Sequence, residues 1–415
     1  VAAKIDAVTE TLVENAVGLW VQRRAMVAAP HVGLAGLVRI DERLEATLEA
    51  GLARGERFAR RLAEEHEQDP ELAFAACWLA IMRGQPAALG TIAAGDPAAA
   101  VAALGFAAPD PARRAIGALH ASAEAALRSV AVAALGARRV NPGEALGAAL
   151  GDPSPLVRAR ACRAAGQLGR TGLLPHLLAA LADDDPECRF QAAWAAARLG
   201  ATEPLGVLAR IARSEDRRAD AALGMLLRRM PLAEANAWLA AFARDLPARR
   251  RSLIRATGIL GDPRYIPWLL ERMRSPEEAR LAGEALSTIT GLDLAYLDLD
   301  RDAPEDVGAG PNDDPEDEDV ALDEDGDLPW PDPGKLGTWW AARRAGFPAG
   351  TAFFLGRPKE QADWLGALSD GFQRQRLAAA MELAIRHPSA AMFEARAHGR
   401  VQRRLLVAAA RQRQS

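Results

Sequence analysis

The sequence is short of the residues from which most catalytic and metal sites are made. Its 415 residues include six histidines, three cysteines and two tyrosines. No Cys-x-x-Cys spacing occurs, so neither a zinc cluster nor a dithiol redox pair is indicated. Cys77 and Cys162 each stand seven residues after a proline, and with Cys188 they read as small core residues in a reducing compartment. His66-Glu67 is the only His-Glu pair, and His120 and His176 fall in apolar helices as structural residues. Glycine-rich phosphate loops and Gly-x-Ser-x-Gly elbows are missing too. Asp298 to Asp302 imitates the start of a calcium loop but lacks the glycine and distal glutamate that such a loop needs. The expectation is a protein with no metal, no cofactor and no enzymatic activity.

Long uncharged apolar runs are also lacking, which excludes a helical membrane span. Lys4 and Asp6 fall where a signal peptide would carry its apolar region, so a cytoplasmic location is expected. Lysine is confined to Lys4, Lys335 and Lys359, so nearly all positive charge is arginine. A GC-rich coding sequence would give the same bias, although the planar guanidinium also suits carboxylates and phosphates. The net charge of −4 is unevenly spread. Residues 1–300 balance 36 basic against 36 acidic groups, residues 301–330 hold one arginine against 13 acids, and residues 331–415 hold 14 basic against 6 acidic.

What is present is alanine and a repeated unit. Pro155 to Gly169 and Pro186 to Gly200 share one frame: proline opens a helix, arginine follows three residues later, small residues fill a face, and Leu-Gly closes it. Proline suits the first helical turn and glycine the left-handed stop. Leu173 to Leu181 supplies an apolar partner helix between the copies. The period is about 31 residues, within the range of stacked repeat proteins. Pro247 to Gly261 and Pro70 to Gly84 repeat the frame, and Ser122 to Gly136 and Glu277 to Gly291 are weaker copies. A single helix pair cannot bury its apolar face, but stacked pairs share one core. The fold class is therefore all-α, an α-α superhelix.

The Asp152-Pro153 and Asp185-Pro186 turns and the Val157-Arg158 to Leu168-Gly169 run resemble the HEAT-repeat superfamily, in the short alanine-rich form of phycobilin lyase-like proteins. Leu19 to Arg24, His31 to Leu37, Trp339-Trp340, Phe353 to Pro358 and Gln373 to Ala384 resemble an uncharacterised proteobacterial HEAT-like family. Some of its members are encoded near type VI secretion genes, which implies an accessory protein.

Four segments follow. Residues 1–66 are an N-terminal helical cap, 67–292 a HEAT-like array, 293–334 an acidic mobile linker, and 335–415 a C-terminal helical unit. That last unit is expected to hold helices over 374–386 and 393–404, to place a turn or hairpin near Gly346 to Gly350, and to close the far end of the array. Residues 87–112 read as irregular.

In HEAT folds the helix after the Asp-Pro turn faces the concave side. The resemblance therefore offers Phe74, Trp78, Arg160, Arg163, Phe190, Gln191, Trp194, Arg251 and Arg255 as a surface for another protein. Each tryptophan could equally fill space between helices. Arg158, Arg189, Arg250 and Arg280 recur at one frame position and read as an internal ladder to the turn residues Asp152 and Asp185. The rival from another class is a nucleic-acid-binding HEAT protein of the alkylated-base glycosylase type, with Arg160, Arg163, Arg251, Arg255 and Trp194 in a groove. The charge balance of the array opposes it.

Overall fold

The structure, a computed structural model, describes residues 2–66, 70–304 and 323–414. Glu67, the side chain of His66 and the acidic run at 313–319 lie outside the described residues. The chain is an all-α array in two compact units, Val1–Ala28 with Val32–Pro204 and Leu365–Ser415, and Ala29–His31 with Leu205–Trp364. These units divide both the expected array and the expected C-terminal unit.

In the first unit a row of neighbouring helices runs through Ala73–Arg83, Pro97–Phe106, Ala125–Arg138, Pro155–Gln167 and Pro186–Arg198. A second row of shorter helices backs it: Pro86–Gly95, Pro109–His120, Ala145–Leu150 and Leu174–Ala179. The stretch expected to be irregular is thus regular helix, begun three times by proline at the first turn. Its near-uniform alanine hides the polar–apolar alternation by which an amphipathic helix is recognised, while alanine's high helix propensity still builds it. Ala2–Met26, Leu34–Ala53 and Glu56–His66 precede the row and share its core, with Trp20 stacked on Phe74 at 3.7 Å.

The end of the chain joins this unit in an unexpected way. Helices form over Gln373–Arg386 and Gly399–Gln414, and residues 388–398 between them are a non-helical strap, not the start of a helix at 393. The strap passes the C-terminal ends of successive first-row helices. Arg198 donates to the Pro388 and Ala390 carbonyls, Met392 N donates to the Gln167 carbonyl at 2.8 Å, and Arg139 Nε donates to the Met392 carbonyl at 2.5 Å. Farther along, His398 packs on Phe106 and Gly399 N donates to Asp41 at 2.7 Å. The terminal segment therefore lies along the row and does not add a last repeat to it. A fully buried Arg376 holds the flanking helices together through Gln373 and Gln402, and burial lowers its pKa to about 10.

The second unit repeats the plan with Ala219–Arg229, Arg250–Leu260 and Pro276–Thr290 as neighbours, backed by Leu205–Ala212, Leu232–Asp245 and Ile266–Arg272. Its later segment also docks on helix ends. The antiparallel pair Phe353–Phe354 with Arg357–Pro358 sits just beyond the expected turn, and Phe353 N donates to the Gly261 carbonyl at 2.8 Å.

Two glycine stops show why docking occurs there. Gly169 (φ 68°) and Gly261 (φ 74°) are left-handed, and a Cβ would stand 2.5 Å from the Ala390 carbonyl oxygen and 2.1 Å from that of Phe353, respectively. Glycine both ends the helix and admits the later backbone. The linker is ordered at its described edges, where Asp300–Arg301 pairs with Trp330–Pro331.

Candidate functional site

The frame arginines form a ladder in the first unit, with Asp152 as an acceptor as the spacing suggested and Asp183 in the place expected for Asp185. Arg128 makes a fork to Asp152 at 2.9 and 3.0 Å, and Arg158 makes the same fork to Asp183 at 2.8 and 2.9 Å. Each arginine also donates to two carbonyls of its own turn, Ser122 and Ala123 for one, Asp152 and Pro153 for the other. Arg189 repeats that second set on Asp183 and Asp184. Asp185 caps its helix instead, accepting from Cys188 N at 2.8 Å. Hydrogen bonds from Arg128 and Arg158 hold the Asp152 and Asp183 carboxyls below the usual range. The signal that was missed is a six-residue interval, Ser122 to Arg128, Asp152 to Arg158 and Asp183 to Arg189. Arg250 lies 3.5 Å from Glu278, and Arg280 pairs with Asp323, so neither joins this ladder.

Of the residues read as a partner surface, the four aromatics are internal. Phe74 is 0% exposed, and Trp78, Phe190 and Trp194 are each 3% exposed. They fill space between helices, so none is available to a partner. Arg163 stacks on Trp194 with its guanidinium carbon 3.5 Å from the ring centroid, and burial brings its pKa down to about 10. Gln191 donates to Glu187 at 2.7 Å within its own helix. Arg160 alone of the first-unit set is exposed, and it shares a cavity of about 480 Å³ with Phe74.

Arg251 and Arg255 come together in the second unit on one short acidic segment of the chain itself. Arg251 bonds Asp325 at 2.6 Å, Arg255 bonds Glu324 at 2.7 Å, and Arg280 of the neighbouring helix pairs with Asp323. Asp220 adds a second carboxylate 3.3 Å from Arg255. Asp325 is only 3% exposed. The acidic segment was expected to be mobile linker; here it is held because three guanidiniums meet three consecutive acids.

Residues 143–228 match a family model of HEAT repeats. The match spans the Arg158–Asp183 rung and the Arg163–Trp194 stack, so the matched stretch includes the clearest copies of the sequence frame. No curated protein matches the chain. The three cysteines are free and buried, and burial raises each thiol to about 12, which keeps them protonated. Among the described residues no group of three or more His, Cys, Asp or Glu side chains is placed to hold a metal, and no helix is long and apolar enough to cross a membrane.

Proposed function

We propose that the protein is a non-enzymatic helical-repeat scaffold that binds an acidic segment of another protein. HEAT repeats are in general a scaffold fold, and the repeat architecture supports that reading. The observation that carries the choice of surface is the convergence of Arg251, Arg255 and Arg280 on Asp323, Glu324 and Asp325. Arginine forks recognise carboxylates with directional, charge-assisted bonds. Arg251 and Arg255 keep 42% and 35% of their side-chain surface exposed, so a partner's carboxylates reach them by displacing Glu324, itself 71% exposed. The aromatic face read from the sequence contributes nothing to this surface, because it is buried.

The test compares capture by the wild-type chain and by Arg251→Ala/Arg255→Ala, using a labelled Glu-rich peptide first and then cell extract. Loss of peptide binding with an unchanged circular dichroism spectrum supports the surface; equal binding rejects it. Within the scaffold reading, an accessory role in a bacterial secretion system rests on the resemblance of Leu19 to Arg24 and Gln373 to Ala384. Co-purification of type VI components with the tagged chain tests that finer step. The nucleic-acid alternative loses its stacking aromatic, because Trp194 is buried against Arg163.

A further inference from the structure

The first unit has an open cavity of about 480 Å³ between its first row and the strap. That volume is in the range of small-molecule sites, roughly 300–1,000 Å³. One wall is a run of aromatics: Trp20 stacks on Phe74 at 3.7 Å, Phe74 meets Phe106 edge-on at 5.7 Å, and Phe106 lies 4.7 Å from the His398 ring. The strap side is tied to the helix row. Its carbonyls satisfy Arg198 and Arg139, and the Gly169 stop admits its backbone at a distance no side chain would allow.

The acids at the cavity are engaged, as are two of its four arginines. Glu71 pairs with Arg24 at 2.8 Å, Glu394 pairs with Arg139 at 2.9 Å, and Asp96 caps Ala99 N at 2.9 Å. Arg23 is paired with Asp41 at 2.5 Å. Arg160 and Arg396 line the same cavity, are exposed, and have no side-chain hydrogen bond or ion pair among the described residues. We propose that this cavity binds a small amphipathic organic anion, with its apolar body on Trp20 and Phe106, backed by buried Phe74, and its carboxylate, sulfonate or phosphate on Arg160 and Arg396. The two guanidiniums supply charge-assisted bonds to planar or tetrahedral oxyanions alike, and the aromatic wall supplies area and stacking. This site is independent of the acidic-peptide surface of the second unit.

The probe is 8-anilinonaphthalene-1-sulfonate, with uncharged N-phenyl-1-naphthylamine as the body without the anion. The full chain is expected to bind one equivalent of the sulfonate saturably. Arg160→Ala/Arg396→Ala should weaken it about tenfold or more, as loss of charge-assisted bonds implies, and leave the neutral probe unchanged. Ala102→Phe, which fills the cavity from its wall, should abolish binding of both. Thermal melting followed by circular dichroism establishes that each variant is folded. Sulfonate binding that is absent, unsaturable, or equal in Arg160→Ala/Arg396→Ala and wild type overturns the proposal, as does undiminished binding in Ala102→Phe.

Discussion

Arg163 and Trp194, thirty-one positions apart in adjoining first-row helices, form a stacked pair with 3.5 Å between guanidinium carbon and ring centroid. An arginine and a tryptophan at equivalent helical positions are what an interface would display, yet here each is the other's partner. The stack therefore belongs to stability. Trp194→Ala should destabilise the protein by about 3–5 kcal/mol, as deletion of a buried large aromatic does. Chemical denaturation measures this, and a cost below about 1 kcal/mol would show that Trp194 is not packed as described.

The strap supplies a second prediction. Arg198 is fully buried and bonds two strap carbonyls, and burial brings its pKa down to about 10, so it stays charged at neutral pH. Arg198→Met removes two charge-assisted bonds, each worth about 1.5–3 kcal/mol, and leaves the carbonyls of Pro388 and Ala390 bare. Limited proteolysis should then cut within residues 387–392 much faster than in wild type. An unchanged cleavage pattern would mean that the strap is anchored elsewhere.

The Arg–Asp ladder gives a pH dependence. Asp152 and Asp183 have carboxyl pKa values lowered by Arg128 and Arg158. A carboxylate with a depressed folded pKa contributes stability that is present above its unfolded value of about 3.9 and is lost as pH falls through the folded one. Asp183→Asn should therefore be less stable than wild type at pH 7, with the gap narrowing as pH falls below about 4. Urea titrations of both proteins at several pH values read this directly, and a gap independent of pH would exclude the ion pair as its source.

Buried His398 carries the complementary acid response. Burial lowers its pKa, so the folded state favours the neutral ring between Phe106 and the Asp41 carboxylate. Stability from this group is complete above about pH 6.5, the unfolded value, and declines as pH falls toward the folded one. Histidine NMR titration should find the His398 ring protonating below its ordinary value. A His398 midpoint at or above 6.5 would contradict this assignment.

In the second unit, Asp323→Asn/Glu324→Gln should strengthen binding of a Glu-rich peptide by a few-fold, since exposed ion pairs are worth about 0.2–1 kcal/mol each. The gain should shrink as salt rises. Unaltered affinity at low salt would mean that the chain's own acids do not compete for Arg251, Arg255 and Arg280.

Much of the fold was legible in the chain because its signals are local. Pro155 and Pro186 set helix starts, Gly169 and Gly261 set stops, and the arginine interval placed Arg158 and Arg189 on equivalent turns. Ala145 to Leu150 and Pro97 to Phe106 were harder, since uniform alanine carries no face. The candidate surface was read less well. Trp78 and Trp194 share a helical position that the sequence cannot distinguish from an open one, because exposure is set by how the neighbouring helices pack.

The amino-acid order alone determined an all-α chain of helix pairs, through propensity, end signals and a short repeat period that act over a few turns of backbone. Tertiary structure decided which of those helix positions remain in contact with water. Arg139 met Met392 and Arg251 met Asp325 across long loops of chain. Such pairings follow from long-range packing and from unsatisfied guanidiniums seeking acceptors, and no local pattern encodes them.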